Sequence, residues 1–443
     1  MKRQMSALLC MILSLMLVAK TAEAATVSDK SLRLTLEEAV RIALTQNSEI
    51  KMAESSVAAA REAARSKSAD LLPKFETRYS AVRLNDDPEV IFGKGLEFIA
   101  GSKPNYRWTV GFTQPVFTGF ALTTAKELAA LGVDTARLNK EEAEEEIILR
   151  TRAAYFQHLL AERLKGVAEE AVRRLRAHLK DAQALYDAGM IPQNDLLKSK
   201  VRMAEAEQEE VRAGNRVELT RSQLNLLLRR EINAKTQLTD VLTWTPYNLT
   251  LKDSLARGLA KRPAIQATQL AVEKADKGVR LAESRYYPNL VMVGEYERQG
   301  DTAAVNGNGY TNTKNASIGL EARWTFFEWG KTGAEVSRSR YEKERAVEAG
   351  RRLRDRIALQ IKQAWLDLQT AGKNIETAKT ELEQAKENYR ITDLQYKEQM
   401  TTSTEVLDAE SLLTQAETHN YGALYGYNLA RASLERAMGT GRP

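Results

Sequence analysis

Glu405 and Asp408 stand three residues apart at the start of a helical run, so their carboxylates share one face. Two carboxylates can act as general acid and base, hold a metal, or present a fixed negative field that draws cations. The rest of a catalytic set is missing from the sequence. The three histidines, His158, His178 and His419, are far apart. His158 falls on an apolar seam, where a packed imidazole is the ordinary reading, not a metal ligand. No nucleophile with its base, phosphate loop or zinc spacing occurs. The sequence therefore predicts no enzyme, no cofactor and no metal site. A local role for the pair is also open. Thr402 or Ser403 would cap the helix, Glu405 would complete a capping box, and the helix dipole would favour both acids.

The chain begins as an exported one. Lys2 and Arg3 precede an apolar run from Ala7 to Ala19, and Ala22-Glu23-Ala24 follows. Residues 1–24 thus read as a cleaved secretory signal. Cys10, the sole cysteine, lies inside it, and Leu9 before it is too large for a lipid-anchor site. The mature protein is expected to carry no disulfide and no thiol chemistry. The formal net charge is +6, but basic and acidic residues are interleaved, as in Lys140-Glu141-Glu142. That is a solvated helix surface and not a nucleic-acid footprint. No mature segment approaches the ~18 consecutive apolar residues of a membrane helix. Any membrane crossing must use strands.

The elements that would position the carboxylates come twice. Leu34-Thr35-Leu36-Glu37-Glu38-Ala39 returns as Leu249-Thr250-Leu251-Lys252-Asp253-Ser254, 215 residues later, and Pro73 returns as Pro288. From Phe117 and Phe327 onward the offset is 210: Tyr155 with Trp365, Tyr186 with Tyr396, Leu197 with Leu407. Residues 25–235 and 236–443 are read as two repeats of one unit. Each reads helix, helix, strand, strand, very long helix, turn, helix. The long helices are expected over Thr118–Asp187 and Lys331–Glu398. The returning helices run from Asn194 or Asp195 to Arg230 and from Ser403 to Met438. Ile357, Ile361, Ala364, Leu368, Ala371 and Ile375 begin a heptad seam that reaches Tyr396. A helix of such length measures roughly 100 Å, too long for a compact domain. Each returning helix is about half as long. The helix before the strands should stack on its end to cover the rest.

Four strands are expected, Phe75–Leu84, Tyr106–Gln114, Leu290–Arg298 and Asn315–Thr325, joined by polar, hairpin-like outer loops. Ala316, Ile318, Leu320, Ala322 and Trp324 alternate with polar residues, as one wall with an apolar face requires. Strands of about ten residues span an outer membrane when tilted, but about eight are needed to close a barrel. Closure requires several chains, and three would supply twelve strands. Tyr106, Trp108, Trp324 and Trp329 would mark the membrane interfaces.

The exported signal, the duplicated strand–helix unit and the heptads together resemble the TolC-type outer-membrane efflux protein family. The residues that carry the resemblance are Leu34 to Ala39 with Asn47, Leu71-Leu72-Pro73, Gln114-Pro115-Val116-Phe117, Tyr186-Asp187-Ala188-Gly189, Val406-Leu407-Asp408-Ala409 and Ala437-Met438-Gly439. The ordered set covers nearly the whole mature chain. The resemblance implies a mainly α fold with a small β part. Its long antiparallel coiled-coil helices form an α-helical barrel, and four strands per chain join a shared twelve-stranded trimeric barrel. It implies a homotrimer in outer-membrane lipid with a large periplasmic part. The implied activity is passive export, docked through a periplasmic adaptor to a proton-driven or ATP-driven inner-membrane pump. In the family, the positions matching Glu405 and Asp408 line the periplasmic constriction, and three chains would set six carboxylates round one axis. Tyr396 and Asp195 match the two sides of a tip latch. Read from the residues alone, Tyr396 ends the seam and Asp195 is an N-cap. Thr401 stands where the best-known members carry arginine, and Gln399 where glycine is usual, so the charged part of that latch is missing.

A type I secretion duct for polypeptides is the alternative within this reading. A periplasmic adaptor would carry one hairpin and no such duplication. A structural coiled-coil rod would not need the alternating strands.

Overall fold

A computed structural model describes residues 33–93 and 96–442. The expected signal segment and Cys10 lie outside the described residues. Helices α1 (Leu36–Gln46) and α2 (Ser48–Ala69) lead into strand β1 (Lys74–Arg83). A short ribbon, β2 (Glu89–Phe92) with β3 (Leu96–Ile99), precedes β4 (Pro104–Phe117). Helix α3 (Ala121–Asp187) then turns into α4 (Gln193–Leu227). The second half repeats the order as α5 (Leu251–Lys261), α6 (Pro263–Glu283), β5 (Asn289–Gly300), β6 (Lys314–Arg323), α7 (Lys331–Lys397) and α8 (Ser403–Ala437).

The repeated Leu-Thr-Leu motif is a helix start. Thr35 accepts the Glu38 amide while the Glu38 carboxylate accepts the Thr35 amide, a full capping box. Thr250 accepts the Asp253 amide in the same place. Helices α3 and α7 are each 67 residues long, as expected. Helices α2 and α4 pack end to end along α3, and α6 and α8 along α7. Asn47 joins the first stack. Its Oδ1 accepts the Glu49 amide at 2.8 Å, and its Nδ2 donates to the Leu227 carbonyl that ends α4, at 3.0 Å. Arg262, 215 residues on, does the same by donating to the Ala437 carbonyl at 3.3 Å. Tyr155 Oη donates to the Leu34 carbonyl at 2.8 Å, and Trp365 Nε1 to the Leu249 carbonyl at 2.9 Å. The two halves thus use equivalent bonds made by different side chains.

The four long strands form one antiparallel sheet in the order β1-β4-β5-β6. Its register decides what each face carries. Phe75, Thr77 and Tyr79 lie opposite Phe112, Val110 and Trp108. Phe112 and Val110 lie opposite Gly294 and Tyr296, which oppose Ile318 and Ala316. This face is apolar across all four strands, giving way to Arg298 and Lys314 at the loop end. The reverse face carries Glu76, Arg78, Arg107, Thr109, Glu295, Glu297, Ser317 and Glu321. Pro115, which has no amide hydrogen to give, sits where the β4–β5 register shifts.

The segment from Asn85 to Asn105 is hairpin-like, as expected, but it is not wholly polar. Val90 pairs with Phe98 and Phe92 with Leu96, so short alternating runs of apolar residues pair there as strands.

Candidate functional site at the hairpin tips

The two hairpins turn at Ala188–Pro192 and Glu398–Thr402, and their four helices meet side by side just above the turns. Both turns need one residue in the left-handed region. Gly189 takes it at φ 70°. The equivalent position holds Gln399 at φ 59°, where a Cβ is strained. Gln399 Nε2 in turn donates to Met190 Sδ at 3.1 Å, a contact between the two turns.

Glu405 and Asp408 occupy the first turns of α8 and are exposed. Thr402 Oγ1 accepts the Glu405 amide at 3.5 Å. The cap is therefore half a capping box, and the Glu405 carboxylate is left out of it. Val406, Leu407, Ala409 and Glu410 between and beyond them are buried against the chain's own helices. The two carboxylates thus point away from the packing of their own chain. Among the described residues neither forms an ion pair.

Asp195 is not an N-cap. Helix α4 begins at Gln193 with Pro192 before it, and Asp195 lies inside the first turn. Its carboxylate lies 3.6 Å from Lys198 Nζ. Lys198 also donates to Thr404 Oγ1 at 3.2 Å, across to the second hairpin. Tyr396 closes the seam of α7 and is 2% exposed. Burial pushes its pKa up, and the Ser403 hydroxyl beside it works the other way.

What bridges the hairpins here is a group centred on His178, in the sequence only one of three scattered histidines. His178 on α3 is 3% exposed, and its ring lies 4.8 Å from that of Tyr396. His178 Nε2 is 2.8 Å from Ser403 Oγ, and Ser403 Oγ is 3.0 Å from Ser199 Oγ. Ser199 Oγ donates to the Asp195 carbonyl at 3.1 Å. One residue from each of the four helices takes part. Asp195 does join the tip contact, but through its main chain. Directly above, Val172, Leu175, Met203 and Leu407 form an apolar plug. Higher still, Arg174 donates to Glu410 at 3.1 Å, Thr414 at 2.9 Å and Glu417 at 3.3 Å. The signal for His178 was present in the sequence. It follows Ala171 and Leu175 and precedes Ala182 at seam spacing, which marks a buried position. Among the described residues no group of three or more metal-ligating side chains converges.

A family model described as "Outer membrane efflux protein" matches residues 39–228 and 255–440, once in each half. The outer membrane efflux protein BepC of Brucella suis is 24% identical over 273 residues. That match takes in 60% of this chain, and the chain spans 58% of the length of that curated relative. Among solved structures, the CmeC outer membrane channel of Campylobacter jejuni superposes with a TM-score of 0.79 at 17% identity. It covers 92% of this chain and 86% of that one. The outer membrane protein VceC of Vibrio cholerae gives 0.77 at 16% identity, over 92% and 97% of the two chains. With the duplicated hairpins, the one-sided sheet and a family match that takes in most of both halves, the chain belongs to the outer membrane efflux protein family.

Proposed function

We propose that this protein is the exit duct of a tripartite efflux system. It works as a homotrimer that passes substrate from a periplasmic adaptor and an inner-membrane pump to the exterior. One observation carries the reading: a sheet with one face apolar across all four strands up to its loop end, and with both edges open. Strand β6 is exposed along its whole length and β1 nearly so, and Phe75 and Ile318 are 76% and 73% exposed. Unpaired strand edges are untenable in lipid, and a bare apolar face is costly in water but suited to lipid. Pairing β1 of one chain with β6 of the next satisfies the edges, lipid satisfies the face, and three chains give a twelve-stranded wall within the usual range. The polar reverse face then lines a wet lumen. Trp329, 90% exposed at the junction of sheet and helix, with Phe326 and Phe327 beside it, suits a membrane interface.

In this duct Glu405 and Asp408 form the constriction. Their exposure and their lack of an ion-pair partner support the reading, because an acidic ring on the axis needs carboxylates free of their own chain. The test is conductance in planar lipid bilayers. Wild-type protein should give small, discrete steps that divalent cations block. Glu405→Ala with Asp408→Ala should raise the conductance and relieve the block. Unchanged block would remove the pair from the constriction, and absence of any step would refute the duct.

A further inference from the structure

The hydroxyl chain at the tip has only one arrangement of protons that makes all three of its hydrogen bonds at once. Ser199 spends its proton on the Asp195 carbonyl. The proton between the two hydroxyls must then come from Ser403. Ser403 has none left for the imidazole, so His178 Nε2 must be the donor to Ser403 Oγ. That fixes the tautomer: Nε2 carries the hydrogen and Nδ1 is bare. Nδ1 is buried without a hydrogen-bond partner. A bare lone pair is tolerable there. A second N–H is not, because a buried donor without an acceptor costs about 1–3 kcal/mol, more when charged.

We propose that His178 is a proton-operated lock on the tip. Neutral, it ties the α7–α8 hairpin to the α3–α4 hairpin through Ser403 and Ser199. Protonated, it cannot stay in the dry site, and the hairpins part. The proposal rests on the tip being the gate of the duct. The groups facing the imidazole are Asp181 on its own helix, Asp393, Tyr396 and Lys397 on α7, Asp195 beyond Ser199 on α4, and Ser403 on α8. Burial is the largest influence and lowers the imidazole pKa; Asp393 and Asp181 oppose it, and Lys397 adds to it. The sign follows. A group whose pKa is lower in the locked state binds protons preferentially in the unlocked one, so the lock weakens as pH falls. Weakening begins below the ordinary histidine value of about 6.5 and is complete once pH lies below the lowered value.

Two measurements on the full-length trimer test it, both in a Glu405→Gln, Asp408→Asn background that removes the exposed carboxylates' own titration. The first is amide hydrogen exchange of the tips, residues 190–200 and 396–406, corrected for intrinsic rates, at pH 7.5 and 5. Protection should fall about tenfold, the scale set by leaving a buried N–H donor without an acceptor. His178→Gln, which keeps a donor but cannot titrate, should show the same protection at both pH values. The second is bilayer conductance, which should rise on acidification in the background protein and stay flat in His178→Gln. Ser403→Ala should be loose at both pH values, and serves if the glutamine variant assembles poorly. A pH response retained in His178→Gln, or a Ser403→Ala tip as protected as the parent, would overturn the lock. If no conductance is seen but exchange follows the pattern, the lock stands and the duct falls.

Discussion

Gln399 shows how one residue departs from its repeat without changing the fold. Its backbone copies Gly189, at φ 59° against 70°, although a side chain is strained there. Gln399→Gly should therefore stabilise the second turn by about 1 kcal/mol, at the cost of the weak Met190 contact. Limited trypsin digestion at Lys397 reads this locally, and cleavage should slow by about fivefold. Faster cleavage would mean that the Gln399–Met190 contact outweighs the backbone strain. The sequence made Glu405 and Asp408 legible because three-residue spacing on a helix guarantees a shared face. It placed Tyr396 on the seam, where the structure has it. It did not show that the Asp195 carbonyl accepts the hydroxyl of Ser199, the residue that meets Ser403 of the second hairpin, since helix α4 starts two residues earlier than Asp195 and no side-chain cap forms. The bridge through Ser199 and Ser403 was illegible for another reason. The residues equivalent to this pair, Ala409 and Gln193, make no such contact, so the repeat gave no hint.

At the scale of elements, equivalent bonds explain why the halves keep one length. The Tyr155 hydroxyl reaches both the Leu34 and the Thr239 carbonyls, at 2.8 and 2.7 Å, and holds the chain segments that enter and leave the first repeat on α3. The Thr239 amide donates to Leu34 in turn, and the Leu34 amide to Gln237. Tyr155→Phe removes the side-chain donor from buried carbonyls, for about 1–2 kcal/mol. Exchange of the Leu34 and Thr239 amides should quicken by about tenfold, and unchanged exchange would show the backbone bonds suffice alone. The long helices were legible from period and from the scarcity of proline and glycine. The sheet's face was legible from alternation. The β2–β3 ribbon was not, because two runs of four residues between glycines carry too short a pattern. The end-to-end stacks were legible from length alone, but not the side chains that seal them. Asn47 and Arg262 share no chemistry beyond an N–H that reaches a helix-end carbonyl.

As a whole molecule, the chain is an unfinished object. Its family and fold place it in the outer membrane with a long helical part in the periplasm, yet its sheet is open at both ends and its acidic pair is unanswered. The duplication supplies two hairpins per chain, so three chains would bring six around one axis. The unequal tips, glycine and proline in one and Gln399 with an acidic pair in the other, would then alternate around it. On the function proposed above, neighbouring chains close the barrel by pairing β1 with β6. Cysteine cross-linking tests it most directly, because Cys10 is the sole native cysteine. One cysteine is placed in β1 between Thr77 and Ala81 and one in β6 between Ala316 and Leu320, position by position, in protein from outer-membrane fractions. Oxidation should give a denaturant-resistant ladder that ends at three chains. Products that remain single chains at every pair, or a ladder that runs past three, would overturn the β1–β6 closure.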